Sequence, residues 1–431
     1  MATVSPTLAP RAAGWRDSIR ITRLGIFSIA ALLFGSWLLV NAVTGLDPET
    51  VTRLTFGANL PELLVSTRAY AIAAALIYLL GGAIGLSPAR PRIRKALLLV
   101  GGLLIIPTIL VLAAAGTSTN VTVMLQVSVR LATPIVMGAL AGIWCERSGV
   151  INIAIEGMML TGACFGFVAF TLLLTANILP TSSALLVGVI VAAISGGLMA
   201  TLHAWLSLRF NTDQIVSGTV INILALGLTS FMRREVLLSS DAGRETLQPI
   251  RIPLLADIPV VGDVFFNGRP IFYSMFILLV VTHVVLFYTR WGLRMRAVGE
   301  NPKAADTLGI NVLRSRWINV IIGGLIAGLA GAWFSLETNG SFDDNMTSGR
   351  GFIALAAMIF GNWMPFGAFG AGVLFGFSDA LGQRFQFLGV PIPPQFLQMV
   401  PYIITIVVLA GLGGKSRPPK AVGKPYEKEG K

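Results

Sequence analysis

Apolar residues occur in long runs separated by short polar segments, and most of these runs are long enough to cross a bilayer. Runs of this kind lie at 24–45, 69–87, 96–115, 121–145, 151–178, 184–207, 214–232, 271–290, 317–336, 366–386 and 393–411. A shorter run at 351–363 is long enough for half a span. Because a spanning helix needs a run of this length, the pattern predicts an all-α, polytopic helical membrane protein with about 10–12 transmembrane segments, including broken or re-entrant helices.

The composition agrees with a membrane as the solvent of this chain. Hydrophobic residues make up 55% of the 431 residues and charged residues only 12%, which is more apolar surface than one soluble core can bury. The apolar run that follows Arg23 is too long for the core of a signal peptide, so we expect it to remain as an anchor.

The basic residues indicate how the chain is oriented. The net charge is +12, yet Lys and Arg lie in short blocks between apolar runs, which is a topology signal and does not indicate nucleic-acid binding. The positive-inside rule predicts cytoplasmic N- and C-termini, provided that 351–363 and 366–386 together cross and return. The predicted divisions are a cytoplasmic basic segment at 1–23, a transmembrane domain at 24–412 with an extracytoplasmic loop at 233–270 and a cytoplasmic loop at 291–316, and a cytoplasmic basic tail at 413–431.

Polar residues interrupt the apolar pattern between 145 and 159. Glu146, Arg147, Asn152 and Glu156 lie there, although an ionisable group at membrane depth costs at least about 2.5–3.5 kcal/mol. Asn152 and Glu156 are four residues apart, which predicts one helix face. The segment is either a polar wall or hinge of a transport pathway, or a cytoplasmic turn followed by a Glu156 that a neighbouring helix neutralises.

A second interruption lies between 349 and 367, where a short apolar segment ends in a Gly/Pro turn before a full-length run. Two interrupted segments, one in each half of the chain, are typical of a binding site between the repeats of a transporter, so we also predict an internal pseudo-repeat. The candidate residues of the translocation path are Glu146, Asn152, Glu156, Gly157, Gly361 and Asn362.

The loop between 294 and 311 carries signals for a short exposed helix. Asn301-Pro302 is a helix start, Ala304 and Ala305 are strong helix formers, and Gly309 suits a helix end. Such a helix is either a simple connector or a docking surface for another protein.

No enzymatic motif accompanies these segments. Gly414-Lys415-Ser416 has Leu409 where a phosphate-binding loop needs glycine, and it follows an apolar run, so the energy source must be another subunit or an ion gradient. His203 and His283 are isolated, and Cys145 and Cys164 have no metal-ligand or disulfide spacing, so no metal site is predicted. An ion-driven carrier would use Glu146, Glu156 or Asp379 as its coupling charge.

Three strings carry a family resemblance. Lys303 to Gly309 (KAADTLG) resembles the EAA-type loop of ABC importer permeases, with Lys303 where many members have Glu. A wider resemblance, to the permeases for branched-chain amino acids, ribose-type sugars and, closest, nucleosides, lies in three strings. They are GENPKAADTLGI, ERSGVINIAIEGMM and GFIALAAMIFGNWMPFGAFGA. The likeness extends over roughly Val121 to Leu412.

The resemblance implies a permease subunit, not an enzyme, in a bacterial plasma membrane. It further implies separate ABC ATPase subunits that bind ATP and Mg²⁺, with no cofactor in this chain, a second permease subunit in a heterodimer, and an extracytoplasmic solute-binding protein. The solute would be a small molecule, a nucleoside first and a simple sugar second. The ATPase coupling loop would comprise Asn301, Lys303, Ala304, Ala305 and Gly309.

Overall fold

The computed structural model describes residues 23–57, 60–86, 91–238, 244–387, 399 and 417–427, and most of these residues are helical. Within them, eight helices are long and apolar enough to cross a membrane. Two further helices, Pro91–Ala113 and Pro365–Phe387, have 23 residues each. The all-α membrane class is therefore confirmed, whereas most of the predicted run at 393–411 and the arginines before Arg23 lie outside the described residues.

The chain divides into two compact units, the first formed by Met1–Thr55 and Glu62–Thr119. Its described elements are α1 (Arg23–Thr44), β1 (Val51–Thr55), β2 (Leu63–Ser66), α2 (Thr67–Leu86), α3 (Pro91–Ala113) and β3 (Ser118–Asn120). The strands form a sheet in the order β2-β1-β3, which the sequence did not predict. Small residues such as Ala71 and Ala75 are fully buried in the core of this unit, beside Leu38 and Tyr78.

The second unit contains the two interrupted segments and the exposed loop. Its described elements are α4 (Val121–Glu146), α5 (Ile155–Thr175), α6 (Thr181–Ala204), α7 (Gln214–Met232), β4 (Ile250–Arg251), α8 (Val261–Phe265), β5 (Asn267–Gly268), α9 (Pro270–Tyr288), α10 (Arg290–Glu300), α11 (Pro302–Thr307), α12 (Val312–Ala332), α13 (Arg350–Phe360) and α14 (Pro365–Phe387). Helices α6, α7 and α12 continue as π-helical turns at Trp205–Arg209, Arg233–Leu237 and Trp333–Asn339.

Polar caps fix where several of these helices begin. Asn120 accepts a hydrogen bond from the amide of Val123 at the start of α4, and Asp213 does the same for the first amides of α7. Asn311 caps α12 through the amide of Arg314. Each cap pairs an amide that the helix itself leaves without an acceptor.

Close packing of α4, α5, α6, α12 and α14 forms the core of this unit. Small residues lie at these contacts: Gly324 and Gly328 of α12 pack against the backbone of α6, and Gly331 packs against the backbone of α5. Gly376 of α14 likewise packs against the backbone of α4. A side chain at any of these positions would overlap the facing backbone, so the small residues allow these helices to approach closely.

The structure gives the secondary structure of three segments that the sequence analysis defined. The run at 351–363 is the short helix α13, which ends before a break at 361–364, as predicted. The segment at 291–316 is more helical than a loop, because it contains α10, α11 and the start of α12. The segment at 233–270, of which 239–243 lie outside the described residues, contains a two-stranded pairing in which Ile250 lies opposite Gly268.

Candidate functional site

The two interrupted segments contact each other through Glu146 and Trp363. Glu146 is the last residue of α4, and its Oε2 accepts a hydrogen bond of 2.6 Å from the indole Nε1 of Trp363, in the break between α13 and α14. Arg147 donates to the carbonyl of Trp363 from Nε at 3.0 Å and from Nη2 at 2.9 Å. A carboxylate and a guanidinium from the first break therefore hold both the side chain and the backbone of one tryptophan in the second.

The second break has an unusual backbone. Asn362 and Trp363 both have φ of 54°, in the left-handed region that costs a residue other than glycine about 1–3 kcal/mol. Gly361 packs directly on the backbone of Gly367 and Ala368, which leaves no room for a side chain. The contacts from Glu146 and Arg147 stabilise this turn, so the break is held in place by the opposite segment.

Asn152 does not lie on a helix face, which corrects the prediction from its four-residue spacing to Glu156. Helix α5 begins only at Ile155, and Asn152 is fully buried in the preceding turn. Its Oδ1 accepts from the amide of Ala154 at 3.1 Å, and its Nδ2 points to the Sγ of Cys145 at 3.3 Å. A short amide side chain that binds nearby backbone competes with helix formation, and this explains the error.

Side chains of α6 and α7 form hydrogen bonds with the backbone of the same turn. The amide of Ile151 donates to Oε1 of Gln214 at 2.7 Å, and its carbonyl accepts from Nε2 of His203 at 2.8 Å. Because a carbonyl can only accept, Nε2 carries the proton in this arrangement. Nδ1 of His203 lies 3.1 Å from the hydroxyl of Ser217. His203 thus has a structural role in the first break, as its isolation in the sequence suggested.

Glu156 caps the N-terminus of α13. Its Oε1 accepts from the hydroxyl of Thr347 at 2.6 Å and the amide of Gly349 at 2.8 Å, and its Oε2 accepts from the amide of Gly351 at 2.6 Å. These amides have no acceptor within their own helix, and the helix dipole favours a negative charge at that end. Of the two interpretations of Glu156, the geometry favours neutralisation by a neighbouring helix.

Gly157 connects the start of α5 to α7. Its amide donates to Oδ1 of Asn222 at 2.8 Å, while Nδ2 of Asn222 donates to the carbonyl of Ile153 at 3.0 Å. The same amide group of Asn222 therefore spans the turn and the helix that follows it.

Glu337 is a second buried carboxylate that caps a helix, as Glu156 does, and the sequence analysis did not identify it. Its Oε2 accepts from the amide of Ile271 at 2.6 Å and its Oε1 from the amide of Phe272 at 3.1 Å, so it caps α9. Pro270 at the start of α9 marked the helix, but nothing in the sequence paired it with Glu337. Asp379, the remaining candidate for a coupling charge, lies 3.6 Å from a guanidinium nitrogen of Arg350.

The predicted coupling residues form the turn around α11. Asn301 caps this helix by accepting from the amide of Ala304 at 3.2 Å, and Gly309 closes it with φ of +78°. Ala305 is buried and packs with Val298 and Val312. The outer surface of the turn is formed by Lys303, Ala304, Thr307 and Leu308, of which Leu308 is 81% exposed. Ala305 and Asn301 hold the turn, and its exposed residues are those available to another protein.

The predicted path residues do not line the two cavities found in this unit. One cavity, of about 370 Å³, is lined by Trp144, Val285, Thr289, Trp291 and Ile322. The other, of about 270 Å³, is lined by Phe167, Thr171, Arg233, Leu237, Leu238, Arg244, Gly340, Ser341, Phe342 and Asp343. Within the described ranges, no group of three or more His, Cys, Asp or Glu side chains could hold a metal ion.

Comparisons with known proteins agree with the resemblance seen in the sequence. Residues 123–409 match the family described as branched-chain amino acid transport system / permease component. The chain is 40% identical over 304 residues to the guanosine ABC transporter permease protein NupQ of Bacillus subtilis (strain 168), a match that covers 69% of this chain and 94% of NupQ. No solved structure matches the chain.

Two further relatives are similar over most of their length. The nucleoside ABC transporter permease protein NupC of Lactococcus lactis subsp. cremoris (strain MG1363) is 40% identical over 301 residues, which cover 69% of this chain and 94% of NupC. The putative glucose ABC transporter permease protein TsgC13 of Haloferax volcanii is 34% identical over 306 residues, which cover 67% of this chain and 90% of TsgC13. This chain therefore belongs to the branched-chain amino acid transport system permease family and is a membrane permease subunit of an ABC importer, not an enzyme.

Proposed function

We propose that this chain imports a nucleoside across a bacterial plasma membrane. The observation that carries the proposal is the 40% identity to two permeases whose names specify guanosine and nucleosides. A simple sugar is the second candidate, because a relative named for glucose is 34% identical.

The translocation path is formed by this chain together with a second permease subunit, in a heterodimer. The predicted path residues line neither of the two cavities described above, and the polar residues of the two breaks are buried and paired within the chain. The predicted path residues hold the ends of the broken helices in place, and they are Glu146, Asn152, Glu156, Gly157, Gly361 and Asn362. They therefore act on the path by controlling how those helices move. Solute selection then rests mainly with an extracytoplasmic solute-binding protein.

Both termini and the α11 turn lie in the cytoplasm. The arginines at 290, 294, 296, 314 and 316 flank this turn. The basic residues Arg417, Lys420 and Lys424 belong to a segment that is hydrogen-bonded to the end of α10 and packs beneath α11 through Tyr426. The opposite ends of the helices carry the stretch 339–348, which has two Asp and no Lys or Arg. This asymmetry supports the assignment under the positive-inside rule. The solute-binding protein docks at the end that carries the stretch 339–348.

The exposed side of the α11 turn docks on an ATPase subunit, which binds ATP and Mg²⁺. Leu308 is the large apolar side chain at the centre of this surface, with 81% of it exposed. The core of a protein–protein interface is more apolar than the rest of the surface, so an exposed leucine on a capped turn is suited to burial against a partner protein. ATP-driven movement of the ATPase subunits would then push on α11.

The solute is tested by measuring ATP hydrolysis of the native complex in lipid vesicles. The complex is purified through this chain, its solute-binding protein is added, and guanosine, adenosine and glucose are supplied separately. We expect the two nucleosides to stimulate hydrolysis and glucose to have no effect. Stimulation by glucose alone would replace the nucleoside with a sugar, and transport by the chain without ATPase subunits would support the ion-driven alternative.

A further inference from the structure

The C-terminal segment, residues 417–427, is hydrogen-bonded to both helix breaks of the second unit and to the end of α10. The amide of Arg417 donates to Oδ1 of Asn362 at 2.9 Å, in the break between α13 and α14. The amide of Gly423 donates to the carbonyl of Gly149 at 3.1 Å, in the break between α4 and α5.

The third of these regions is the end of α10, which leads into the α11 turn. The amide of Ala421 donates to the carbonyl of Gly299 at 2.9 Å, near the end of α10. Tyr426 packs against the apolar cluster of Val298, Ala305 and Val312 beneath α11. The C-terminal segment therefore supports from within the same turn whose outer surface is available to an ATPase subunit.

Arg316 ties the segment to α12. This arginine is fully buried, and its guanidinium donates from Nε to the carbonyl of Ser148 at 3.2 Å and from Nη1 to the carbonyl of Lys424 at 2.9 Å. A buried guanidinium needs acceptors, and one of those found here belongs to the C-terminal segment. Loss of the segment would leave a buried cationic donor without that acceptor.

The segment also fits a specific space. Gly423 has φ of +76°, and a Cβ atom at this position would lie 2.7 Å from Cδ1 of Ile151. The backbone conformation therefore favours glycine here, and a larger residue would also require the Ile151 side chain to shift. The segment lies beyond residues 123–409, which match the family, so this linkage is a feature of this chain outside the family match.

We infer that the C-terminal segment positions the α11 turn relative to both helix breaks and thereby transmits ATP-driven movement to the membrane helices. The first break also contacts the end of α10 directly, since Gly299 packs against the backbone of Arg147. The C-terminal segment adds the connection to the second break through Asn362. Arg316 connects α12 to the first break and to the segment, because it donates to the carbonyls of Ser148 and Lys424. This inference rests on the proposed function, because it assumes that the α11 turn is the element on which the ATPase subunits act.

The test uses the native complex with two altered chains. Gly423→Val disrupts the turn of the segment and its fit against Ile151, whereas Tyr426→Ala removes packing beneath α11 without changing the backbone. Lys420→Ala, at an exposed position of the same segment, is the matched control. For each complex, the amount of bound ATPase subunits, the basal ATP hydrolysis and the increment produced by guanosine with the solute-binding protein are measured.

We expect both variants to retain the ATPase subunits and basal hydrolysis. The guanosine-dependent increment per complex should fall at least about fivefold, the lower end of the usual coupling between two sites, and the control should keep it. An unchanged increment per complex in both variants overturns the inference, and so does a smaller yield of complex with an unchanged increment, which means that the segment only stabilises the fold. Absence of any guanosine stimulation in the unaltered complex overturns the proposed function instead, and the inference with it.

Discussion

Trp363 donates its indole N–H to the buried carboxylate of Glu146 over 2.6 Å, and this hydrogen bond joins two helix breaks that lie more than 200 positions apart in the chain. Each break alone is a weak point, because its backbone leaves the helical hydrogen-bonding pattern. Together they form one polar junction at the ends of α4 and α13.

Removal of the indole donor should weaken the junction. We expect Trp363→Phe to lower the free energy of unfolding by about 1–3 kcal/mol, because a buried carboxylate loses a partner. Thermal unfolding of the purified chain in detergent measures the effect. Glu146→Gln is the companion variant, since it keeps an acceptor for the indole. Equal unfolding temperatures for Trp363→Phe and the unaltered chain would mean that the hydrogen bond does not stabilise the junction.

The Glu156 cap should depend on acceptor oxygens more than on charge. Glu156→Ala leaves the amides of Gly349 and Gly351 without their acceptor, at a cost of about 1–3 kcal/mol each. Glu156→Gln keeps one oxygen and should lose less stability and retain ATP-dependent uptake. Uptake and unfolding are measured on both variants. If Glu156→Gln stays folded but abolishes uptake, the ion-driven alternative, in which Glu156 carries a coupling charge, gains support.

Leu308 and Ala305 should respond differently to the same substitution. Leu308→Asp changes an exposed side chain, so we expect normal unfolding but loss of bound ATPase subunits on purification. Ala305→Asp puts a charge into the buried cluster of Val298 and Val312, so it should destabilise the chain itself. Leu308→Met is the conservative control and should keep the subunits bound. Wild-type amounts of ATPase subunits on Leu308→Asp would remove Leu308 from the docking surface.

The glycines of α12 should tolerate no side chain. Gly324→Val would overlap the backbone of Gly196 and the side chain of Ala200 on α6, and we expect a loss of at least about 1–3 kcal/mol or failure to fold. Gly227→Ala is the matched control, because nothing lies within 4 Å of an added Cβ there. Yield and unfolding temperature of the two variants are compared. Similar values for both would show that α6 and α12 are not closely packed in the membrane.

Local patterns were sufficient for part of this structure. Run lengths predicted the spanning helices. Asn301, Pro302 and Gly309 predicted the bounds of α11, since caps and proline act on their own helix. The internal repeat and the role of the path residues stay predictions.

Pairings between distant residues could not be predicted from the sequence. Three hydrogen-bonded contacts depend on which helices are neighbours in the fold. They join Glu146 to Trp363, Glu156 to the amides of α13, and Glu337 to the amides of α9. The contacts of Arg316 with the C-terminal segment are of the same kind. For Asn152 a local pattern gave the wrong prediction. Its spacing to Glu156 predicted a helix, but its side chain binds the amide of Ala154 and the residue lies in a turn before α5.

The central claim is that this chain imports a nucleoside at the expense of ATP hydrolysed by separate subunits. The most direct test is uptake of labelled guanosine by cells that carry the chain or lack it, with the membrane potential collapsed by an ionophore while cellular ATP is maintained. We predict uptake that requires the chain and persists without the potential. Uptake that stops when the potential collapses, or that does not depend on the chain, would contradict the claim.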